Sequence, residues 1–206
     1  MGSAASSIGI VVIDRPEFTF SYPSITIDNE RGAEKATRYL IQLGHETIAF
    51  VSGPVDSYVS QERLQGYRLA LRESGLGYRE ELVVHGDFTP RGGLVAMEEL
   101  LSRSDRYLDA PVTAVFAAND QMAIGAMHGA RLLGKEVPRD ISIIGFDDID
   151  VAAVVEPPLT TMAVPTQDIG KTAMGMLAKC LNKEVLEQDR IVFQPQLIER
   201  GSCAAR

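Results

Sequence analysis

Residues Thr113–Met162 decide the fold of this protein, and they read TAVFAANDQMAIGAMHGARLLGKEVPRDISIIGFDDIDVAAVVEPPLTTM. One apolar run ends at Asn119-Asp120, and a second apolar run ends at Asp147-Asp148. The residues between the two runs favour a helix that ends at Gly134. Two apolar strands joined by a helix are typical of a parallel sheet, because parallel neighbours need a long crossover connection. The stretch therefore predicts a strand–helix–strand unit with polar side chains at the end of each strand.

The rest of the chain repeats this alternation of strand and helix. Predicted strands cover residues 8–13, 47–51, 82–85, 112–117, 141–146, 191–193 and 196–199. Residues 24–27 are expected to be extended, and residues 160–164 are expected to form a crossing segment. Predicted helices follow Asp28, Thr89 and Asn119 and also cover residues 60–74 and 167–181. Such alternation indicates an α/β fold in which helices flank a parallel sheet. The continuous apolar run 8–13 predicts a strand buried on both faces.

Composition limits the class of protein. The 206 residues are 45% hydrophobic and 23% charged, as in a globular protein of one large or two small domains. A net charge of -8 argues against nucleic-acid binding by this surface, because phosphate contacts need an excess of cations. No apolar run is long enough to span a membrane, and the start does not resemble a secretory signal. Two distant cysteines, Cys180 and Cys203, favour a reducing, cytoplasmic location over a disulfide framework.

Polar or small residues follow the predicted strands. They are Asp14, Ser52-Gly53, Asp87-Phe88, Asn119-Asp120 and Asp147-Asp148. Ligands of open parallel sheets bind beyond the carboxyl ends of the strands, so these side chains are candidates for one site. Each carboxylate can accept two hydrogen bonds from vicinal hydroxyls, and an aromatic ring offers an apolar face to a sugar. The pattern therefore predicts a site for a polyol.

Structural roles compete with this interpretation for single residues. Asp120 is expected to be a helix N-cap rather than a ligand contact. Asn119 fits a turn residue as well as it fits a ligand contact. Asp148 and Asp150 are expected to be solvated loop residues. The predicted site therefore depends on the whole set rather than on any one position.

Other chemical motifs are absent from the sequence. It contains no glycine-rich phosphate-binding motif and no G-x-S-x-G motif, so no cofactor and no catalytic serine are predicted. The three histidines, His45, His85 and His128, lack the spacing of metal ligands, and His45 follows the predicted helix end at Gly44. An aspartate pair after a strand also occurs in phospho-acceptor receiver domains, but here the pair comes late in a long chain. No metal site is predicted.

Several long segments resemble the LacI/GalR family of bacterial transcription regulators. They are SITIDNERGAEKATRYLIQLGHETIAFVSGP, SQERLQGYRLAL, AVFAANDQMAIGAM, DISIIGFDDIDVAAVVEPPLTTM and DIGKTAMGML. They occur in the family's order, and the resemblance covers Ile8 to Arg200. It implies a periplasmic-binding-protein-like core of type I, in which two α/β subdomains are joined by three crossovers and an effector binds in the cleft.

The resemblance also implies a division of the chain. The C-terminal subdomain, expected to be complete, would comprise residues 28–160 and 190–206. The N-terminal subdomain would be partial, comprising residues 8–27 and 161–189. The family's helix-turn-helix and hinge helix have no counterpart, so an N-terminally truncated regulator without a DNA-binding domain is expected.

The family's effector contacts match five positions: Asp14, Arg63, Phe88, Asn119 and Asp147. The resemblance implies that Arg63 donates to effector hydroxyls and that Asn119 and Asp147 bind the same hydroxyls. Asp14 would contribute a carboxylate from the N-terminal subdomain, and the ring of Phe88 would stack on the ligand. Val164 and Thr166 depart from the Gln and aromatic of some members, so the effector of a relative cannot be transferred.

The implied function is sensing of a small-molecule effector, a sugar or related polyol, by a cytoplasmic homodimer. Ile124, Val154 and Val155 match dimer contacts, and DNA would be bound only through a domain outside this chain. A free-standing sugar-binding protein of a transport system is an alternative, which the missing signal sequence disfavours. An enzyme using Asp14 and Asp147 as a carboxylate pair is a second alternative. Because no motif predicts hydrolysis, we expect a protein that is not an enzyme.

Overall fold

The computed structural model describes residues 9–15, 21–107 and 110–206, and side chains throughout these ranges except at residues 104–107. The chain divides into two compact units. The larger unit comprises Asn29–Ala163 and Pro195–Arg206. The smaller unit comprises the described residues up to Asp28 together with Val164–Gln194.

The elements alternate along the chain as the sequence predicts. The strands are β1 (Val12–Ile13), β2 (Ser24–Ile27), β3 (Ile48–Ser52), β4 (Val83–His85), β5 (Ala114–Ala117), β6 (Ser142–Asp147), β7 (Thr160–Ala163), β8 (Arg190–Phe193) and β9 (Gln196–Ile198). The helices are α1 (Asn29–Gln42), α2 (Tyr58–Glu73), α3 (Pro90–Tyr107), α4 (Asp120–Leu132) and α5 (Thr166–Leu181). Short 3₁₀ turns cover Glu80–Leu82 and Asp150–Ala153.

The larger unit is built on a six-stranded sheet of order β4-β3-β5-β6-β7-β9. Strands β4, β3, β5, β6 and β7 are mutually parallel, and β9 runs antiparallel to β7. The predicted α/β class with a largely parallel sheet is therefore confirmed. All five parallel strands end at the same edge, and this edge carries the polar residues that the sequence singles out within the larger unit.

Apolar strands fill the centre of this sheet. Every residue of β3 and β5 is buried, as expected for strands covered on both faces. The centroid of the Phe50 ring lies 5.3 Å from the centroid of the Tyr67 ring and 5.0 Å from the centroid of the Phe116 ring. The hydroxyl of Tyr67 donates to the Ile48 carbonyl at 2.8 Å, which satisfies a buried polar group. The core thus joins α2 to the middle of the sheet.

Glycines allow α3 and α4 to approach closely. The sequence predicts close packing at Gly92-Gly93, because glycine otherwise weakens a helix. An added Cβ at Gly93 would lie 2.1 Å from the Met122 carbonyl oxygen. On the facing helix, a Cβ at Gly125 would lie 1.8 Å from the Pro90 carbonyl oxygen. The prediction is confirmed, and both helices contribute a glycine to the contact.

The smaller unit is a three-stranded parallel sheet of order β1-β2-β8, with α5 packed on it. Ile25, Ile169 and Met176 form its buried centre. The sequence assigned residues 190–206 to the larger subdomain, but β8 pairs with β2, and Ile191 lies opposite Ile25. The sequence also assigned residues 161–163 to the smaller subdomain, but they belong to β7. Strand pairing decides both boundaries, and short strands do not reveal their partners in the sequence.

The first predicted strand is shorter than expected. Only Val12–Ile13 forms a strand, and Ile8 lies outside the described residues. Ile10 and Ile13 are 40% and 44% exposed, so the prediction of burial on both faces is wrong. The reason is that, within the described ranges, β1 lies at the edge of its sheet and pairs with β2 alone.

The C-terminal residues close the larger unit through His45. His45 is 4% exposed, and its Nδ1 lies 2.9 Å from Thr113 Oγ1. Its Nε2 lies 3.1 Å from both Ser142 Oγ and the Ala204 carbonyl. Burial lowers the pKa of the imidazole, which favours the neutral ring. The sequence placed His45 at a helix end, where it lies, but did not predict that it joins two strands to the C-terminus.

Candidate functional site

Four of the five predicted ligand residues lie in the larger unit, at or near the carboxyl edge of its sheet. Phe88, Asn119 and Asp147 follow or end β4, β5 and β6, and Arg63 reaches this edge from α2. Asp14 follows β1 in the smaller unit, where its backbone N–H donates to the Ile25 carbonyl at 2.8 Å. The structure therefore brings four predicted residues to one edge within a single compact unit.

Arg63 is a buried cation with several partners. It is 5% exposed, and its Nε donates to Asn29 Oδ1 at 3.0 Å. Its Nη1 donates to the Ala118 carbonyl, and its guanidinium lies 3.7 Å from the centroid of the Phe146 ring. Its Nη2 lies 3.6 Å from Asp147 Oδ1. These contacts hold the guanidinium in one orientation, as recognition of a ligand requires.

Asp147 supplies the carboxylate among the four candidate ligand residues of the larger unit. Its side chain is 34% exposed, and its backbone φ is 116°. Asp148 follows with a φ of 60°, so two successive residues adopt conformations that side chains usually avoid. Backbone strain of this kind concentrates at functional sites, where the surrounding structure holds it. The turn presents Asp147 beside the buried cation of Arg63.

Asn119 has a structural role that the sequence assigned to its neighbour. Its Oδ1 accepts from the backbone N–H of Met122 at 2.9 Å, so Asn119 is the N-cap of α4. The prediction that Asp120 is the cap is wrong by one residue. The Nδ2 of Asn119 donates to the Phe88 carbonyl at 3.2 Å, which ties the ends of β4 and β5 together. Asn119 is 8% exposed, so little of it remains for a ligand.

Phe88 lies at the carboxyl edge of the sheet, and its ring is next to the end of β3. Its backbone φ is 65°, and its side chain is half-buried. An added Cβ at Gly53 would lie 2.2 Å from Phe88 Cζ, so the ring covers the Gly53 backbone. The Ser60 hydroxyl lies in the same place and is buried, and it has no hydrogen-bond partner among the residues that the structure describes. The ring thus packs on the loop after β3 while keeping part of its surface exposed.

Asp120 makes buried contacts that the sequence did not predict. It is fully buried, and burial raises the pKa of its carboxyl to about 6. Gly145 is the sequence feature that could have indicated these contacts, because an isolated glycine within a strand indicates that another group approaches the backbone closely. An added Cβ at Gly145 would lie 2.2 Å from Asp120 Oδ1.

The other aspartates of the edge divide as follows. Asp148 accepts from Arg200 Nη2 at 2.7 Å, so the prediction of a solvated side chain is wrong. Asp150 is exposed at the start of its 3₁₀ turn, as expected.

Among the described residues, no group of three or more His, Cys, Asp and Glu side chains is arranged to hold a metal ion. No helix in the same part of the chain is long and apolar enough to cross a membrane.

The three predicted dimer residues lie on one exposed side of the larger unit. Ile124 of α4 and Val155 line a shallow cavity of about 260 Å³, together with Met127, His128, Arg131 and Glu156. Val154, next to Val155, is 78% exposed. This side of the unit therefore combines exposed apolar side chains with a cavity of mixed apolar and charged lining.

Comparison with known proteins defines the class. Residues 37–203 match the periplasmic binding protein-like domain family. A sugar-binding LacI-family regulator from Escherichia coli, solved with phosphate, has a TM-score of 0.85 and 34% identity, covering 96% of this chain and 69% of that chain. A complex of the regulator CelR with cellobiose has a TM-score of 0.84 and 40% identity, covering 93% and 58%.

The chain therefore belongs to the periplasmic binding protein-like family, in the form found in LacI-family transcriptional regulators. Catabolite control protein A of Priestia megaterium is 40% identical over 94% of this chain and 57% of its own length. The ribose operon repressor of Escherichia coli K12 is 37% identical over 96% and 58%. The chain thus spans little more than half the length of these curated relatives. The family resemblance stated from the sequence is confirmed.

Proposed function

We propose that this chain is the effector-sensing and dimerisation portion of a bacterial transcription regulator, and that its effector is a sugar or related polyol. The observation that carries the proposal is Asp147, a partly exposed carboxylate held on a strained turn beside the buried guanidinium of Arg63. An ionised carboxylate accepts hydrogen bonds from two hydroxyls, which matches the vicinal hydroxyls of a sugar.

Each proposed contact has a distinct chemical role. Asp147 accepts from ligand hydroxyls, and Arg63 supplies charge-assisted donors next to it. Asn119 donates to the Phe88 carbonyl and exposes 8% of its surface to a ligand hydroxyl. The exposed part of the Phe88 ring offers an apolar surface to a sugar ring. The resemblance to the family supports Asp14 as a fifth contact.

The relatives support the ligand class. CelR was solved with cellobiose, and a LacI-family regulator from Enterococcus faecium was solved with ribose. Both ligands are neutral carbohydrates rich in hydroxyl groups. A site that offers carboxylate, amide and guanidinium groups suits such molecules without requiring a cofactor.

In the complete protein, the effector would act by shifting an equilibrium between two conformations. A ligand shifts that equilibrium only by its difference in affinity for the two states. DNA would be bound by a helix-turn-helix domain outside this chain, which fits the net charge of -8 found here. Because these relatives are transcriptional regulators, we propose that this protein is a regulator rather than an enzyme and that it acts in the bacterial cytoplasm.

Titration calorimetry with cellobiose and D-ribose tests the effector site. We expect at least one neutral sugar in a panel that contains these two to bind, and we expect Asp147→Ala to weaken its binding by about 10- to 100-fold, because hydrogen bonds to a charged group are lost. Asp150→Ala is the control, since it removes an exposed carboxylate three residues away. Unchanged binding by Asp147→Ala would show that the site is elsewhere.

We also propose that Ile124, Val154 and Val155 lie in a homodimer interface. Val154→Asp is expected to raise the dimer dissociation constant at least about 30-fold, because a carboxylate would be buried in an apolar contact. Sedimentation equilibrium measures this constant.

The matched control for the interface is Val55→Asp. Val55 is 62% exposed and lies in the loop before α2, away from the proposed interface residues in the sequence. This variant should leave self-association unchanged. A chain that remains monomeric at every concentration, or equal effects of the two variants, contradicts the proposed interface.

A further inference from the structure

A buried carboxyl group lies directly beneath the turn that carries Asp147. Asp120, the first residue of α4, is fully buried. Its Oδ1 accepts from the Thr161 hydroxyl at 2.5 Å, and its Oδ2 accepts from the Ile149 backbone N–H at 3.0 Å. One side chain therefore joins the start of α4, the turn after β6 and the strand β7.

The strand β6 is built to admit this carboxyl group. Gly145 leaves the space that Asp120 Oδ1 occupies, since an added Cβ would lie only 2.2 Å away. Any larger residue at Gly145 would have to displace the carboxyl group or the strand. The position of Asp120 is thus determined by packing as well as by its hydrogen bonds.

The bonded amide sits between two functional segments. Asp147 and Asp148, with φ of 116° and 60°, precede Ile149. The 3₁₀ turn Asp150–Ala153 follows Ile149 and leads to the exposed Val154. A left-handed backbone at two successive aspartates is unfavourable, so it needs a contact that holds the chain beyond them. The hydrogen bond from Ile149 to Asp120 is such a contact.

We propose that Asp120 is a positioning residue that holds Asp147 in its ligand-binding orientation and joins it mechanically to the segment 150–155. This inference rests on the proposed function, because it takes Asp147 as an effector contact and the segment 150–155 as part of the dimer surface. Asp120 itself, being fully buried, does not touch the ligand. It is the physical connection through which occupancy at Asp147 reaches the exposed segment.

The protonation state of Asp120 gives a way to observe this connection. Burial raises the pKa of its carboxyl to about 6, and the negative charge of Asp147 adds to the effect. Asp147 forms an ion pair with Arg63, and Asp148 forms an ion pair with Arg200. Each of these two aspartates therefore has an arginine beside it. β7 contributes only the neutral Thr161 hydroxyl to the carboxyl group.

The direction of the pH effect follows from that raised pKa. Above about pH 7 the carboxylate is ionised and accepts both hydrogen bonds with full strength. Below about pH 6 it gains a proton, and one of its two oxygens becomes a hydroxyl that accepts poorly. The hydrogen bond from the Ile149 N–H to the Asp120 carboxyl group is therefore weaker below about pH 6.

Nuclear magnetic resonance of the backbone amides tests the inference in the 206-residue chain without any ligand. The Ile149 amide signal should titrate with a midpoint near the Asp120 pKa of about 6. Asp120→Asn should abolish that titration and speed hydrogen exchange of the Ile149 amide by about tenfold or more. Glu98→Gln, which changes an exposed carboxylate on α3, should leave both unchanged. A titration that survives Asp120→Asn, or a flat Ile149 signal in the unmodified chain, would overturn the proposal.

Calorimetry with cellobiose and D-ribose gives a second readout. Asp120→Asn should weaken binding about fivefold or more at about pH 7.5, although it removes no ligand contact. Thr161→Val should act in the same way, whereas Thr161→Ser, which keeps the hydroxyl, should bind like the unmodified chain. If Asp120→Asn does not fold, the pair of Thr161 variants decides the question.

Failure of the two proposals can be distinguished. If no sugar of the panel binds the unmodified chain, the proposed ligand class is wrong, while the Ile149 amide still reports on the positioning role. If a sugar binds and Asp147→Ala abolishes binding, but Asp120→Asn and Thr161→Val leave affinity unchanged, the effector site stands and the positioning role is rejected.

Discussion

Arg63→Ala is expected to destabilise the larger unit by about 2–4 kcal/mol, the sum of several lost contacts. The substitution leaves the Ala118 carbonyl and Asn29 Oδ1 without their cationic donor inside the protein. It also uncovers the face of the Phe146 ring, whose contact with the guanidinium contributes about 1–2 kcal/mol when desolvated. The ion pair with Asp147 adds little, because its atoms are 3.6 Å apart and Asp147 is one-third exposed.

Urea unfolding followed by circular dichroism measures this loss. The matched control is Arg72→Ala on the same helix, an exposed arginine whose removal should change stability by less than about 0.5 kcal/mol. Arg63→Lys should fall between the two, since a lysine keeps the charge but cannot donate in several fixed directions. If Arg63→Ala is as stable as Arg72→Ala, the buried network does not hold this edge of the sheet together.

Gly125→Ala is expected to cost about 3 kcal/mol or more, or to prevent folding, because α3 and α4 would have to separate. The added methyl would lie 1.8 Å from the carbonyl oxygen of Pro90 and 2.7 Å from the carbonyl carbon of the same residue. Both are backbone atoms, so no side-chain rotation can relieve the contact. The intrinsic gain in helix propensity from glycine to alanine, about 1 kcal/mol, has the opposite sign and is too small to compensate.

Gly77→Ala is the control in the same unit, since nothing lies within 4 Å of its added Cβ. Its stability should stay within about 1 kcal/mol of the unmodified chain. The midpoint of thermal unfolding compares the two variants. A Gly125→Ala protein that unfolds at the same temperature as Gly77→Ala would mean that the helices are not in the close contact described here.

Local signals in the sequence account for most of the secondary structure. Thr89 before Pro90 predicts a helix start, and the Thr89 hydroxyl accepts from the Gly92 N–H at 3.0 Å. Gly44 predicts a helix end, and its φ of 88° is the left-handed conformation that glycine adopts readily. The cap at Asn119-Asp120 could not be decided in this way, because both residues are good caps.

The candidate site was predicted in part. The rule that ligands bind at the carboxyl ends of parallel strands brought Asn119 and Asp147 to one edge, and the pairing of β5 with β6 places them there. Contacts between distant residues were not predictable. Arg63 meets partners 34 and 55 positions away, and Asp120 meets Thr161 across 41 positions. Periodicity and composition carry no information about such pairs.

The sequence by itself determined the order of strands and helices, the polar character of the sheet edge and the family to which the chain belongs. These properties depend on local patterns and on motifs that are contiguous in the chain. Only the tertiary structure decided which polar residues are exposed at the edge of the sheet and which are buried beneath it. Asp120 and Asp147 are both aspartates next to a strand, yet one is fully buried and the other is one-third exposed. Burial depends on what packs above each side chain, and for Asp120 that is the turn at Ile149 and the strand at Thr161.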